Sequence, residues 1–138
     1  MQSDKSSNEI VQATLDKLGP YQYPSLQPGE EFGDMELRER TETDDYIYTG
    51  HWVGECREGR GHCIWKADGK VYEGHWKGDK PEGKGRMVYA KGAYYIGAFA
   101  EGKQNGDGIS YFADKSIYKG DHVNNKKHGS GVHTLPDG

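Results

Sequence analysis

The sequence has no apolar run near the roughly 18 residues that a membrane-crossing helix needs, and its opening, MQSDKSSNEIVQ, is too polar for a signal peptide. Cysteine is scarce. Cys56 and Cys63 alone build no disulfide framework, so both are expected as free thiols in a reducing compartment. Only 33% of the 138 residues are hydrophobic and the mean hydropathy is -1.01, which leaves little aliphatic material for one large core and argues against a compact enzyme. Basic residues do not cluster either. Lys126, Lys127 and His128 form the one basic knot, well short of a nucleic-acid footprint. The expected setting is soluble and intracellular, with no nucleic acid among the partners.

Glycine and tyrosine are abundant instead, with 21 Gly, 10 Tyr and 3 Trp, and they recur at fixed intervals. Tyr-x-Gly occurs at Tyr48/Gly50, Tyr72/Gly74, Tyr95/Gly97 and Tyr118/Gly120, and each is followed by a Gly pair: Gly59/Gly61, Gly83/Gly85, Gly106/Gly108 and Gly129/Gly131. A large apolar residue closes each copy at Trp65, Tyr89, Phe112 and Leu135. Gly78-x-x-x-x-Gly83-Lys84 matches part of a phosphate-binding loop, but Gly85 stands where that loop needs a hydroxyl for Mg²⁺. Recurrence in four copies makes the glycines a structural device.

Alternation says which device. Tyr48, Gly50 and Trp52 fall on one face of a strand, as do Gly59, Gly61, Cys63 and Trp65 on the next. Short polar loops (VGECRE, KGDKPE, AEGKQN, VNNKKH) join the halves, and tight turns such as ADG or AKG join the copies. Each copy reads as a β-hairpin. A single-layer sheet must cover its apolar face with its own side chains, and a Gly without Cβ leaves a slot for a ring on the neighbouring strand.

These residues resemble the MORN repeat, whose pattern is Tyr-x-Gly-x-Trp, a Gly-x-Gly pair, an Asp-Gly turn and the next Tyr. The resemblance covers 48–138 in four copies, 48–71, 72–94, 95–117 and 118–138, and implies an all-β fold, an elongated single-layer antiparallel sheet of consecutive hairpins; the residues before it add a short N-terminal helix and an extended arm. Three departures stand out. Copy one has one extra residue near Lys66–Gly69, copy three has Lys115 at the turn Gly, and copy four has His122 in the Trp/Phe position. The turn at Lys115 is expected to be strained and copy four to pack less well.

Residues 1–47 form an acidic leader of net charge -7, against +3 for 48–138. Ser6-x-x-Glu9 reads as a capping box for a helix over 7–18, with Val11, Leu15 and Leu18 on one face and Gly19-Pro20 as the stop. A helix that short is marginal alone, so it is expected to form on docking. Residues 20–45 read as an extended arm anchored through Tyr21, Tyr23, Leu26 and Phe32 on a partner or on the first hairpin.

No catalytic, cofactor or metal site can be assembled. His51 and His75 are expected about 10 Å apart, too far to share a metal, and the neighbours His62 and Cys63 point to opposite faces. The expected function is a non-catalytic scaffold that binds protein partners in a larger complex. Its expected binding surface is the aromatic face of Tyr48, Trp52, Trp65, Tyr72, Trp76, Tyr89, Tyr95, Phe99 and Phe112, together with the strand edges. The resemblance implies association with cytoskeletal and ciliary assemblies. The acidic leader looks somewhat like that of protist ciliary members, which points to an axonemal setting. The alternative it implies is a peripheral adaptor on phosphoinositide membranes, against which the scattered basic residues argue. At Asp137-Gly138 the pattern has reached the turn that elsewhere opens the next strand, so a continuation or a partner is expected to cover the edge at Gly131–Leu135.

Overall fold

The computed structural model describes residues 5–24 and 35–136. Among these residues there is one helix, α1 (Glu9–Leu18), and nine strands: β1 (Glu36–Glu42), β2 (Tyr46–Val53), β3 (Cys56–Trp65), β4 (Val71–Lys77), β5 (Lys80–Val88), β6 (Tyr94–Ala100), β7 (Lys103–Tyr111), β8 (Ile117–Val123) and β9 (Lys126–Thr134). The strands form one antiparallel sheet in sequence order, an open meander. At the usual strand spacing it is roughly 40 Å wide.

The hairpins β2–β3, β4–β5, β6–β7 and β8–β9 are the four expected copies, but their loops are shorter than expected. Strand pairing continues to the last two residues, at Val53↔Cys56, Lys77↔Lys80, Ala100↔Lys103 and Val123↔Lys126. Both turn residues take positive φ at Gly78/Asp79 (57°, 70°), Glu101/Gly102 (51°, 84°) and Asn124/Asn125 (50°, 70°). That backbone matches the twist of the flanking strands, and Asn, Asp and Gly tolerate it best. The extra residue of copy one lies in its closing turn, where the Gly69 N–H reaches back four residues to Trp65; the Gly92 and Lys115 N–H groups reach back three, to Tyr89 and Phe112. Lys115 holds φ 77° where Gly69 and Gly92 hold 79° and 96°.

Every hairpin carries the same irregularity. Gly50 pairs with Gly61 and Trp52 with Arg57, so His51 alone spans Glu58, Gly59 and Arg60 on the other strand; the break recurs after Gly74, Gly97 and Gly120. The first glycine of each pair sits in this bulge at positive φ: Gly59 75°, Gly83 94°, Gly106 105°, Gly129 62°. The second lies beneath a ring. A Cβ on Gly61, Gly85, Gly108 or Gly131 would collide with the ring of Tyr48, Tyr72, Tyr95 or Tyr118 respectively. The two glycines of the repeat therefore do different jobs, one conformational and one steric.

The leader departs from expectation in two ways. Its helix starts at Glu9 and is capped by Asn8, whose Oδ1 accepts from the Ile10 and Val11 N–H groups at 2.9 and 3.2 Å; the expected Ser6–Glu9 capping box is absent because the Ser6 hydroxyl donates to the Gly69 carbonyl. Part of the arm is a strand, since β1 pairs with β2 from Glu36↔Trp52 to Glu42↔Ile47 with a bulge between. Of the two expected anchorages for the arm, the described residues show the one on the sheet: the Tyr23 hydroxyl donates to the Gly61 carbonyl of the first hairpin at 3.4 Å and the Tyr21 N–H to Glu73 Oε2 at 3.4 Å. Leu26 and Phe32 lie outside the described residues.

Candidate functional site

The alternation of each strand gives the sheet two faces, and both are apolar in different ways. On the ring face, Tyr48, Trp52, Cys63, Tyr72, Trp76, Met87, Tyr95 and Phe99 form one buried cluster with Tyr46, Trp65 and Tyr89 packed on it. The first three repeat tyrosines each stand edge-on to the aromatic ring of their own strand and to that of the next copy. Tyr48 meets Trp52 and Trp76 at 5.1 and 5.3 Å, Tyr72 meets Trp76 and Phe99 at 5.3 and 5.0 Å, and Tyr95 meets Phe99 and His122 at 5.1 and 4.8 Å. The phenol then turns back on its own strand: the hydroxyls of Tyr48, Tyr72, Tyr95 and Tyr118 donate to the carbonyls of His51, His75, Ala98 and Asp121. Burial raises the pKa of the Tyr48, Tyr72 and Tyr95 phenols, that of Tyr95 to about 12, so these three stay protonated donors.

Of the nine expected contact residues, Tyr48, Trp52, Tyr72, Trp76, Tyr95 and Phe99 are at most 3% exposed. They are the core. Trp65, Tyr89 and Phe112 form an outer, half-buried row near the closing turns. Beside Tyr89 and Phe112 a groove of about 400 Å³ is lined by Gln104, Ser110, His122 and Lys127. The tyrosine side chains that repeat most regularly are thus the least accessible of the set, because ring-on-glycine packing consumes them.

Arg57, expected in the polar loop VGECRE, is buried on the ring face. Its guanidinium lies over Tyr46 and Trp76 at 4.2 and 4.6 Å, its Nε donates to Asp79 Oδ1 at 2.7 Å and its Nη1 to Cys63 Sγ at 3.4 Å. Burial opposes ionisation of Asp79, and the hydrogen bonds from the Arg57 side chain and backbone outweigh it, leaving that carboxyl below its usual range. The Cys63 thiol is pushed up to about 12 by burial and is inert as a nucleophile. Burial alternates without a break from Arg57 through Gly59 and Gly61 to Cys63, so Arg57 was hidden only because residues 53–58 read as a loop and not as the start of a strand.

The same position ties the copies together. The Asp79 N–H donates to the Arg57 carbonyl, Gly102 to Pro81, and Asn125 to Gln104, so each hairpin turn is clasped to the preceding hairpin. His51 and His75 approach the Arg60 and Lys84 carbonyls through Nδ1 at 3.1 and 3.0 Å across the bulge, on the back of the sheet. Among the described residues no three His, Cys, Asp or Glu side chains are grouped to hold a metal ion.

Family models match the MORN repeat at residues 72–94, 95–117 and 118–138, in the register that the hairpins show. The chain is a MORN-repeat protein. MORN repeats are structural or interaction modules, and the hairpin β2–β3 repeats their geometry just before the matched copies. No curated protein matches the chain.

The back face of the MORN sheet carries a continuous cross-strand row: Ile47, Ile64, Val71, Val88, Tyr94, Tyr111 and Ile117 are paired in register from β2 to β8. Helix α1 covers the first half. Val11 is fully buried against Ile64, Val71 and Val88, with Leu15 and Leu18 beside it. Asn8 Nδ2 donates to the Asp68 and Ala90 carbonyls, which fixes the helix start on two closing turns. Beyond Gly19, Arg86 holds the Gly19 carbonyl at 2.8 Å and Glu73 at 2.9 Å, while the Arg60 guanidinium donates to the Pro24 carbonyl and lies over Tyr23 at 5.0 Å.

Proposed function

We propose that the protein is a non-catalytic scaffold whose MORN ribbon holds protein partners in a larger assembly, of cytoskeletal or ciliary type. The observation that carries this reading is the outer ring-face row of Trp65, Tyr89 and Phe112 beside an open groove, set on a sheet whose inner rings lock it. Half-exposed aromatics on a rigid base lose little conformational entropy on binding and serve as anchors. The cytoskeletal or ciliary setting, in the cytoplasm, is supported by the resemblance of the acidic leader before the repeats to that of ciliary members. A Trp65→Ala, Tyr89→Ala, Phe112→Ala triple variant tests the surface. Cross-linking of the native chain in its own cell extract, followed by mass spectrometry, should place partner cross-links around these residues and lose them in the variant while the fold persists. Partner cross-links unchanged in the variant, or flotation with phosphoinositide liposomes in place of protein contacts, would overturn the reading.

A further inference from the structure

The back-face row is covered over only half its length, and the uncovered half is shaped like the covered one. Helix α1 sits where two closing turns, around Gly69 and Gly92, flank aliphatic residues of the row. A Cβ on Gly69 would press on Asn8 and Ser6, and one on Gly92 would sit 3.1 Å from Ile10. One repeat further on, the turns around Gly92 and Lys115 flank Tyr94, Tyr111 and Ile117. Here lies a groove of about 460 Å³ with Thr14, Lys17 and Leu18 of α1 as one wall. Its floor is flat and firm, because Tyr94 and Tyr111 stack at 4.4 Å with 12° between their planes.

Charge distinguishes the two seats. Lys17, Lys91 and Lys115 stand around the second groove, and among the described residues none of the three is ion-paired. The nearby Asp114 carboxylate is occupied by the N–H and hydroxyl of Ser116 at 2.8 and 2.6 Å. Lys119 continues the positive charge along the same face, paired in register with Ile109.

We propose that this groove is the seat of a second amphipathic helix, supplied by a partner protein, lying beside α1 with aliphatic residues on Tyr111 and Ile117 and acidic residues toward Lys17, Lys91 and Lys115. The seat continues an interface that already holds a helix, so the recognition pattern can be read from α1 itself: aliphatic side chains at i, i+4 and i+7, as in Val11, Leu15 and Leu18. The lysines select the charge. This site is on the face opposite the aromatic row and stands or falls independently of it.

The test uses the full chain and two synthetic helical peptides, one of Leu and Glu with leucines at i, i+4, i+7 and i+11, the other with Lys for every Glu. Binding is read by fluorescence anisotropy and mapped by backbone amide shifts. The acidic peptide should bind and shift the amides of Lys91, Tyr111 and Ile117. A K17E/K91E/K115E variant, altered only at exposed positions, should weaken it by about tenfold or more and reverse the preference between the peptides. Equal binding of both peptides, shifts confined to the ring face, absence of binding, or an affinity untouched by the charge reversal would overturn the proposal. So would capture of phosphatidylserine vesicles by the wild-type chain, lost in the variant, without binding of the acidic peptide.

Discussion

The first two hairpins and the last two share a sequence pattern and a backbone, but they are buried differently. In β3 the residues alternate between buried and half-buried on both faces, whereas β9 is exposed along its whole length. Tyr48, Tyr72 and Tyr95 are at most 1% exposed and Tyr118 is 5% exposed. The difference lies in what lies over the sheet. Hairpins one and two have rings in front and the leader helix and arm behind, while three and four have little behind them. A MORN hairpin thus supplies its front layer from its own glycines and rings, and its back layer has to come from outside the repeat.

The sharpest way to break this comparison is to remove a ring from each half. Tyr72→Ala should cost about 3–5 kcal/mol, because the ring is fully buried and fills the space over Gly85. Tyr118→Ala should cost less, since one side of its ring faces Lys127 at 5.3 Å and the exposed β9. Equal losses in urea unfolding would show that the two halves are equally packed. A smaller effect comes from the leader. Val11→Ala should cost about 2 kcal/mol and raise amide exchange in β3, β4 and β5, with little change in β7–β9. Uniform acceleration across the sheet would mean that the leader supports the whole ribbon.

Lys115→Gly should stabilise the chain by about 1 kcal/mol, by relieving a side chain held at φ 77°. The corresponding change is unavailable in the closing turns of hairpins one and two, which already have glycine. Calorimetry of the single variant checks the sign, and a loss of stability would refute the strain. The last and smallest effect is titration of His122. Its Nδ1–H donates to the Gly120 carbonyl, so Nε2 accepts from Ser110 Oγ, and burial lowers its pKa below the usual 6.5. The folded form therefore binds the proton less readily than the unfolded one. Stability from this group is complete above about pH 6.5 and declines as pH falls toward the lower folded value. His122→Phe should flatten that part of the pH profile; an unchanged slope between pH 7 and 5 would assign it to other groups.

Much of this was legible in the sequence. The hairpins, the turn insertion at Lys66–Gly69, the left-handed Lys115 and the substitution of His122 for an aromatic all follow from the register of Tyr-x-Gly, because that register repeats four times and each deviation shows against it. Burial of His122 to 2% exposure is milder than the expected loss of packing in copy four, which falls on β9 instead. Three things did not show. The strand ELRERTE has charges on both faces and no aliphatic alternation, so only the demand of β2 for an edge partner makes it a strand. Helix capping by Asn8 depended on the tertiary claim of Gly69 on Ser6. Arg57 was hidden because VGECRE reads as a loop, although period two carried back from Cys63, Gly61 and Gly59 puts it on their face. The expected contact set also mixed two populations: a repeat pattern marks what holds the copies together more strongly than what a partner touches.

The clasp between each hairpin turn and the hairpin before it also has a mechanical meaning. Strand follows strand in sequence order, so tension applied across the ribbon, from β1 toward β9, runs perpendicular to the strands and loads the ladders one at a time. Hydrogen bonds pulled in this direction open singly, like a zipper, where strands pulled along their length would have to shear many together. The turn clasps at Arg57, Pro81 and Gln104 then act as catches, each holding until the hairpin beyond it has peeled away. Such a ribbon yields in increments of one repeat. A force-extension trace would be a staircase of 23-residue steps, the spacing of the matched copies that begin at residues 72, 95 and 118.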